Sequence, residues 1–245
     1  MINKSTTKGI ILSLLLVAPA VRAVVLDFED FGITNFQHGT VINTQYSNVA
    51  ISATNLGGGP NLAAVFDSTL SNTRDSDLEG LFNSNNPSLA DNFDPGNILI
   101  IQENNIGCDD GVCNRPDDEG SRPAGWISFA FAQAIELISI DFFDIEVAEN
   151  GATSENAIRL FDSANSELFA NTFYVPNTGG DNLWNQVLFV TAGQGITGIA
   201  RIDVHFGGSG ALDNLTYSVV PVPAAFWLFG TALIGFIGYS RRRSV

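Results

Sequence analysis

The chain is short of several things. Only 15% of its 245 residues are charged, with 11 Lys or Arg against 26 Asp or Glu, and it has 2 Cys, 2 His and 1 Met. A formal charge of −15 offers no Lys/Arg field for phosphates, which excludes a nucleic-acid binder. Two cysteines cannot build the disulfide framework of a small secreted scaffold. With His38 and His205 the only imidazoles, nucleophile–base arrangements are poor. Gly207-Gly208-Ser209-Gly210-Ala211 misses the nucleophile-elbow pattern at its last position. A long amphipathic helical pattern, a fixed-period repeat and a glycine loop running from strand into helix are all missing. Those absences exclude a solenoid and leave a nucleotide site unsupported.

What is present is enough for a core: 45% hydrophobic residues, including 18 Phe. Charge is unevenly placed. All 26 acids lie between Val24 and Ser218, while six of the 11 basic residues sit in the two ends. The body holds five arginines (Arg74, Arg115, Arg122, Arg159, Arg201), no lysine, and a net charge of −21.

Residues 1–23 read as a secretory signal. Lys4 and Lys8 precede an apolar stretch from Ile10 to Val17, and Val21-Arg22-Ala23 supplies small residues for cleavage after Ala23, with Ala20 the second choice. At the other end Val220-Pro221-Val222-Pro223 precedes a 16-residue apolar run, Ala224 to Tyr239, and then Arg241, Arg242 and Arg243. Proline cannot extend a helix backwards, so the motif marks a hinge at a membrane face. The arginines are a stop that stays cytoplasmic.

Motif, apolar helix and basic tail together resemble the PEP-CTERM sorting signal of Gram-negative bacteria, in its variant reading Val-Pro-Leu-Pro-Ala. The resemblance implies export across the inner membrane by way of a signal peptidase. It further implies membrane anchoring through the C-terminal helix, processing by an exosortase, and delivery to the cell surface or extracellular matrix, often beside exopolysaccharide. It covers residues 219–245, with Val222 standing where the main pattern has Glu.

Residues 24–218 predict an all-β, jelly-roll-like two-sheet β-sandwich. Short apolar stretches are spaced by Gly-, Asn- and Asp-rich breaks. Expected strands include Val24 to Phe28, Val49 to Ala53, Ala63 to Phe66, Ile98 to Gln102, Trp126 to Phe131 and Leu137 to Ile145. Ala157 to Phe161, Leu168 to Tyr174, Gln186 to Thr191, Ile199 to Phe206 and Ala211 to Val219 complete the set. Alternation in 199–206 puts Ala200, Ile202, Val204 and Phe206 on one face and Arg201, Asp203 and His205 on the other. Residues 67–97 and 103–125 are irregular; the first has room for a short helical turn.

Candidate sites follow from residue chemistry. In an exported chain Cys108 and Cys113 form a disulfide around a small acidic loop. Asp27 and Glu29 open the domain and Asp213 closes it. Hard oxygens from both ends of a jelly roll can hold calcium, an arrangement that resembles many carbohydrate-binding modules. Asp109, Asp110, Asp117, Asp118 and Glu119 lack EF-hand spacing and read as a solvated loop. Asp141, Asp144, Glu146 and Glu149 are carboxylates of the kind a glycosidase pairs. Trp126, Trp184 and Tyr174 are candidates for stacking on sugar rings. The expected function is a non-catalytic surface or matrix protein that binds polysaccharide with structural calcium. A secreted glycan hydrolase and a purely structural adhesin are the alternatives.

Overall fold

The structure is a computed structural model that describes residues 22–31, 34–146, 151–191 and 194–219. The leader expected over 1–23 lies outside the described residues apart from Arg22 and Ala23. So does the sorting segment apart from Val219, including Val220, Pro221, Val222, Pro223, Arg241, Arg242 and Arg243. Glu149 lies outside them too.

The chain begins with β1 (Ala23–Leu26), a small hairpin β2 (Asp30–Phe31) and β3 (Thr34–Asn35), then β4 (Val49–Asn55), β5 (Ala63–Asp67) and β6 (Asn97–Ile101). A second small hairpin, β7 (Cys108–Asp109) and β8 (Val112–Cys113), precedes the 19-residue β9 (Gly125–Phe143). The last strands are β10 (Ile158–Phe161), β11 (Glu167–Leu168), β12 (Trp184–Leu188), β13 (Val190–Thr191), β14 (Gln194–Phe206) and β15 (Ala211–Val219). The fold is all-β with a sandwich-like arrangement of sheets. A 3-10 turn at Ser154–Asn156 is the one helical element among the described residues, so the helical turn expected in 67–97 is absent.

β9 organises the molecule. Its first half pairs with β4 and β14, its second half with β15 and β12. Expected as two strands, it is one, because pairing to β14 slips between Ile199↔Ile135 and Arg201↔Ala130 instead of breaking. Such an irregularity bends a strand without ending it. One half-sheet therefore reads β11-β10-β14-β9-β4, the other β12-β9-β15-β6-β5, with β1 on β15.

The main core lies between these halves. β4 sends in Val49, Ile51 and Ala53, and β14 sends in Ile202, Val204 and Phe206. They meet Val65, Leu99, Phe142 and Leu212 from the other half. Burial of each Val, Ile, Leu or Phe among them contributes about 1.5–3 kcal/mol. The second half-sheet is covered on both faces. Ala64, Phe66, Ile98, Ile100 and Phe143 point away from the main core into a second cluster with Leu78 and Phe82. Those last two belong to the irregular segment 68–96, which lies over this face. β6 is accordingly buried along its whole length, while β4 alternates.

The expected strand Leu168 to Tyr174 is corrected to Glu167–Leu168. Phe169 and Asn171 adopt φ of 51° and 55°, in the left-handed region, which turns the chain out of the extended conformation after Leu168. Cys108 and Cys113 are joined as expected. Ala23, assigned to the leader, pairs with Ser218.

Candidate functional site

The outer face of the first half-sheet is open. Trp126 on β9 and His205 on β14 are register partners, and their rings stack at 5.2 Å with 25° between planes. Beside them the β10–β11 hairpin carries Arg159 and Glu167, joined by two hydrogen bonds: Nε to Oε1 at 3.1 Å and Nη2 to Oε2 at 2.7 Å. With Leu56, Pro123 and Asn171 these side chains line a cleft of about 460 Å³. Leu56 is 54% exposed at its rim.

Electrostatics suit a neutral, hydroxylated ligand. Burial pulls the His205 imidazole below its ordinary value, with the Asp203 charge opposing. A neutral ring then lies flat on Trp126. The hydrogen bonds from Arg159 hold the Glu167 carboxyl below the usual carboxylate range. The pair thus offers N–H donors and carboxylate acceptors side by side. Glu155 also lines the cleft.

The other strand-face residues are satisfied among themselves. Arg201 donates from Nε to Asp203 at 3.1 Å and sits 3.9 Å over the Phe161 ring, and Ser128 donates to Asp203 at 2.7 Å. Of Arg201, Asp203 and His205, only His205 lines the cleft. Trp184 is 6% exposed, stacked on Phe93 at 4.5 Å, with its indole N–H donated to the Ala90 carbonyl at 2.9 Å. It is a core residue. Tyr174 is half-buried and does not line the cleft.

Asp27, Glu29 and Asp213 do come together. Pairing of β1 with β15 carries the first and last strands of the body side by side. All three residues line one pocket with Asp94, Thr69 and Asn214. Glu29 accepts from the Asn97 N–H at 2.7 Å, and Asp27 from the Glu29 N–H at 3.3 Å. Asp213 is 1% exposed, and its Oδ1 has no hydrogen-bond partner. Burial pushes the Asp213 carboxyl well above its ordinary range and raises Glu29 as well. Among the described residues, no group of three or more His, Cys, Asp or Glu is placed so that it could hold a metal ion.

The remaining carboxylates are scattered. Asp141 is buried and accepts from Gln186 at 2.7 Å and Asn214 at 3.1 Å, Asp144 is buried, and Glu146 pairs with Arg122 at 3.0 Å. None lines the cleft. The acidic loop is solvated at Asp109 and Asp110, as its composition predicts, and not at its end. Asp118 is 9% exposed and accepts from the Gly210 N–H, and Glu119 is 4% exposed and accepts from Asn55 at 2.7 Å. These carboxylates tie loop 103–119 down, Asp118 on the Gly210 backbone N–H and Glu119 on the Asn55 side-chain amide.

Sequence reading found Trp126 and His205 separately and missed Arg159, Glu167 and Leu56. Opposite charges eight residues apart across the turn-prone Asp162-Ser163-Ala164-Asn165 were the available signal. Asp94 carried no signal.

No family model matches the chain, and no curated protein does. Two solved structures of discoidin II from Dictyostelium discoideum share partial likeness. The wild-type protein matches at TM-score 0.29 and 13% identity over 42% of this chain and 40% of its own. The recombinant native protein matches at TM-score 0.30 and 15% identity over 45% and 46%. The alignment thus spans less than half of either discoidin chain.

Proposed function

We propose that the protein is an exported, exosortase-sorted component of the cell surface or extracellular matrix that binds polysaccharide without cleaving it. The body is read as a jelly-roll-type sandwich. The observation that carries the binding reading is the Trp126–His205 platform, flanked in one cleft by the Arg159–Glu167 pair. A flat aromatic surface accepts the C–H face of a pyranose ring, and the charged pair meets its hydroxyls. Non-catalytic action is favoured over hydrolysis because a glycosidase acid needs a raised pKa. Glu167 is shifted the other way and spends both oxygens on Arg159. Sorting rests on Val220-Pro221-Val222-Pro223, the apolar run and the three arginines.

Calcium joins this reading through Asp213. A buried carboxylate oxygen with no donor carries a desolvation cost that a divalent cation would remove. Asp27 and Glu29, which share a pocket with Asp213, would have to close on it to hold the ion, tying the first strand to the last and supplying structure, not chemistry.

Titration of the purified protein with neutral oligosaccharides, followed by tryptophan fluorescence, tests the platform. Trp126→Ala should weaken binding about tenfold or more. Equal affinity in the variant sinks the reading. Release of reducing ends that Glu167→Gln abolishes would move the protein to the hydrolases. Calcium should raise the melting temperature of the wild type and not of Asp213→Asn. With Pro221 and Pro223 replaced by Ala, unprocessed protein should collect in the membrane fraction.

A further inference from the structure

Four of the five arginines in the body are matched to a carboxylate: Arg74 to Asp117, Arg122 to Glu146, Arg159 to Glu167 and Arg201 to Asp203. Arg115 is the fifth. Its exposed guanidinium has no ion-pair or hydrogen-bond partner among the described residues. It lines a pocket of about 340 Å³ with Arg74, His38, Asn72, Asn114 and Thr73, and no carboxylate is part of that lining. In a body with 26 acids and five arginines, two arginines in one pocket with no carboxylate in its lining are a local concentration of positive charge, Asp117 lying beside Arg74 outside that lining.

The other lining groups add donors. His38 accepts the Asp67 N–H on Nδ1 at 3.0 Å, so the neutral ring carries its proton on Nε2. The ring is wedged edge-on against Phe66 at 4.9 Å, which fixes its direction. Arg74 lies 3.6 Å from Asp117 through Nε, beyond hydrogen-bond distance, so its other guanidinium nitrogens remain available.

The disulfide hairpin puts Arg115 in place. Cys113 N–H donates to the Gly39 carbonyl at 2.7 Å, and Val41 N–H donates to the Gly111 carbonyl at 2.8 Å. Gly39 has φ of 85°, and a Cβ there would collide with the Cys113 carbonyl, so this approach requires glycine. On the far side the Arg115 carbonyl accepts from the buried Gln102 side chain at 3.0 Å. The backbone that bears Arg115 is therefore held on both flanks, next to the residue that bears His38.

We propose that this pocket is an oxyanion-binding site that takes the carboxylate or sulfate group of an acidic saccharide, held by Arg115 and Arg74 with His38 and the two asparagines donating beside them. Guanidinium groups suit planar, bidentate recognition of such oxyanions. The surrounding acidic field favours a single spaced charge over a dense polyanion. The saccharide as carrier rests on the function proposed above; the oxyanion site does not.

Calorimetric titration of the full-length protein in detergent with trigalacturonate, with neutral galactotriose and with sodium sulfate tests it. Trigalacturonate should bind, and Arg115→Ala and Arg74→Ala should each weaken it about tenfold. Added salt should weaken it further, because the site is open to solvent. Sulfate binding that Arg115→Ala abolishes supports the site, and sulfate matching trigalacturonate assigns it to free oxyanions. Trp126→Ala should leave sulfate binding unchanged while reducing that of galactotriose, so the two readings fail separately. A folded Cys108→Ser, Cys113→Ser variant should lose sulfate affinity as Arg115→Ala does. If Arg115→Ala leaves both anions bound as before, or if neither anion binds, the proposal is wrong.

Discussion

Trp184 and Trp126 stand on equivalent ground. Each sits on a strand end paired through β9, Trp184 opposite Phe143 and Trp126 opposite His205, and each stacks on an aromatic ring. One is 6% exposed and core, while the other is half-buried and lines a cleft. What separates them is the irregular segment 68–96. It lays Leu78, Phe82 and Phe93 over the second half-sheet and gives the Trp184 indole a carbonyl partner at Ala90. Among the described residues nothing equivalent covers Trp126. A sheet face becomes core or ligand surface according to what else the chain folds over it, and strand residues alone do not say which.

The sharpest way to break this contrast is truncation of the covered ring. Trp184→Ala should cost about 3–5 kcal/mol, read as a lowered denaturation midpoint at unchanged m-value. A cost near that of Trp126→Ala would show that segment 68–96 is not a true cover. Next in size is the effect of pH. On the covered side, burial raises Asp118 well above the ordinary Asp value of 3.8, with Asp75 beside it raising it further. The folded state then prefers the protonated form. That contribution is full below the unfolded pKa and is lost as pH rises through the folded one. On the open face the sign reverses, since Glu167 is held below 4.5 and its contribution is full above that value and lost as pH falls through the folded pKa. In calcium-free buffer the melting temperature should fall as pH rises above the ordinary carboxylate range and through the raised folded pKa of Asp118. Asp118→Asn should flatten that slope, and Glu167→Gln should leave it nearly unchanged. An unaltered slope in Asp118→Asn would contradict the assignment. The smallest effect on stability belongs to Trp126→Ala, about 1 kcal/mol or less by thermal melt, with its main consequence in binding.

Much of the architecture was legible locally. Alternation in 126–131 and 199–206 placed Ile127, Phe129, Ile202 and Val204 inward, and all four are fully buried. The disulfide was expected from the two-cysteine loop read as part of an exported chain, and Cys108 and Cys113 are joined. Asp27, Glu29 and Asp213 were expected at meeting chain ends, and β1–β15 pairing puts them in one pocket. The failures have physical causes. Leu168 to Tyr174 has strand composition, yet positive φ at Phe169 and Asn171 ends the strand early. Asp118 and Glu119 look solvated in sequence and are buried, because each meets an N–H donor distant in the chain, Gly210 and Asn55. Arg159 and Glu167 were invisible as a site until the hairpin joined them.

The sequence by itself determined composition-level matters: an acidic, lysine-free body, an all-β pattern, and inward-facing residues at period two. Each depends on neighbours one or two positions away, where backbone geometry is enough. Tertiary structure alone decided which tryptophan is a platform, which carboxylate is left without a donor, and which arginine is left without an acid. Those outcomes depend on strand register and on long loops, which bring together residues as far apart as Trp126 and His205 or His38 and Arg115. Contacts across such separations are set by global packing, and no local pattern encodes them.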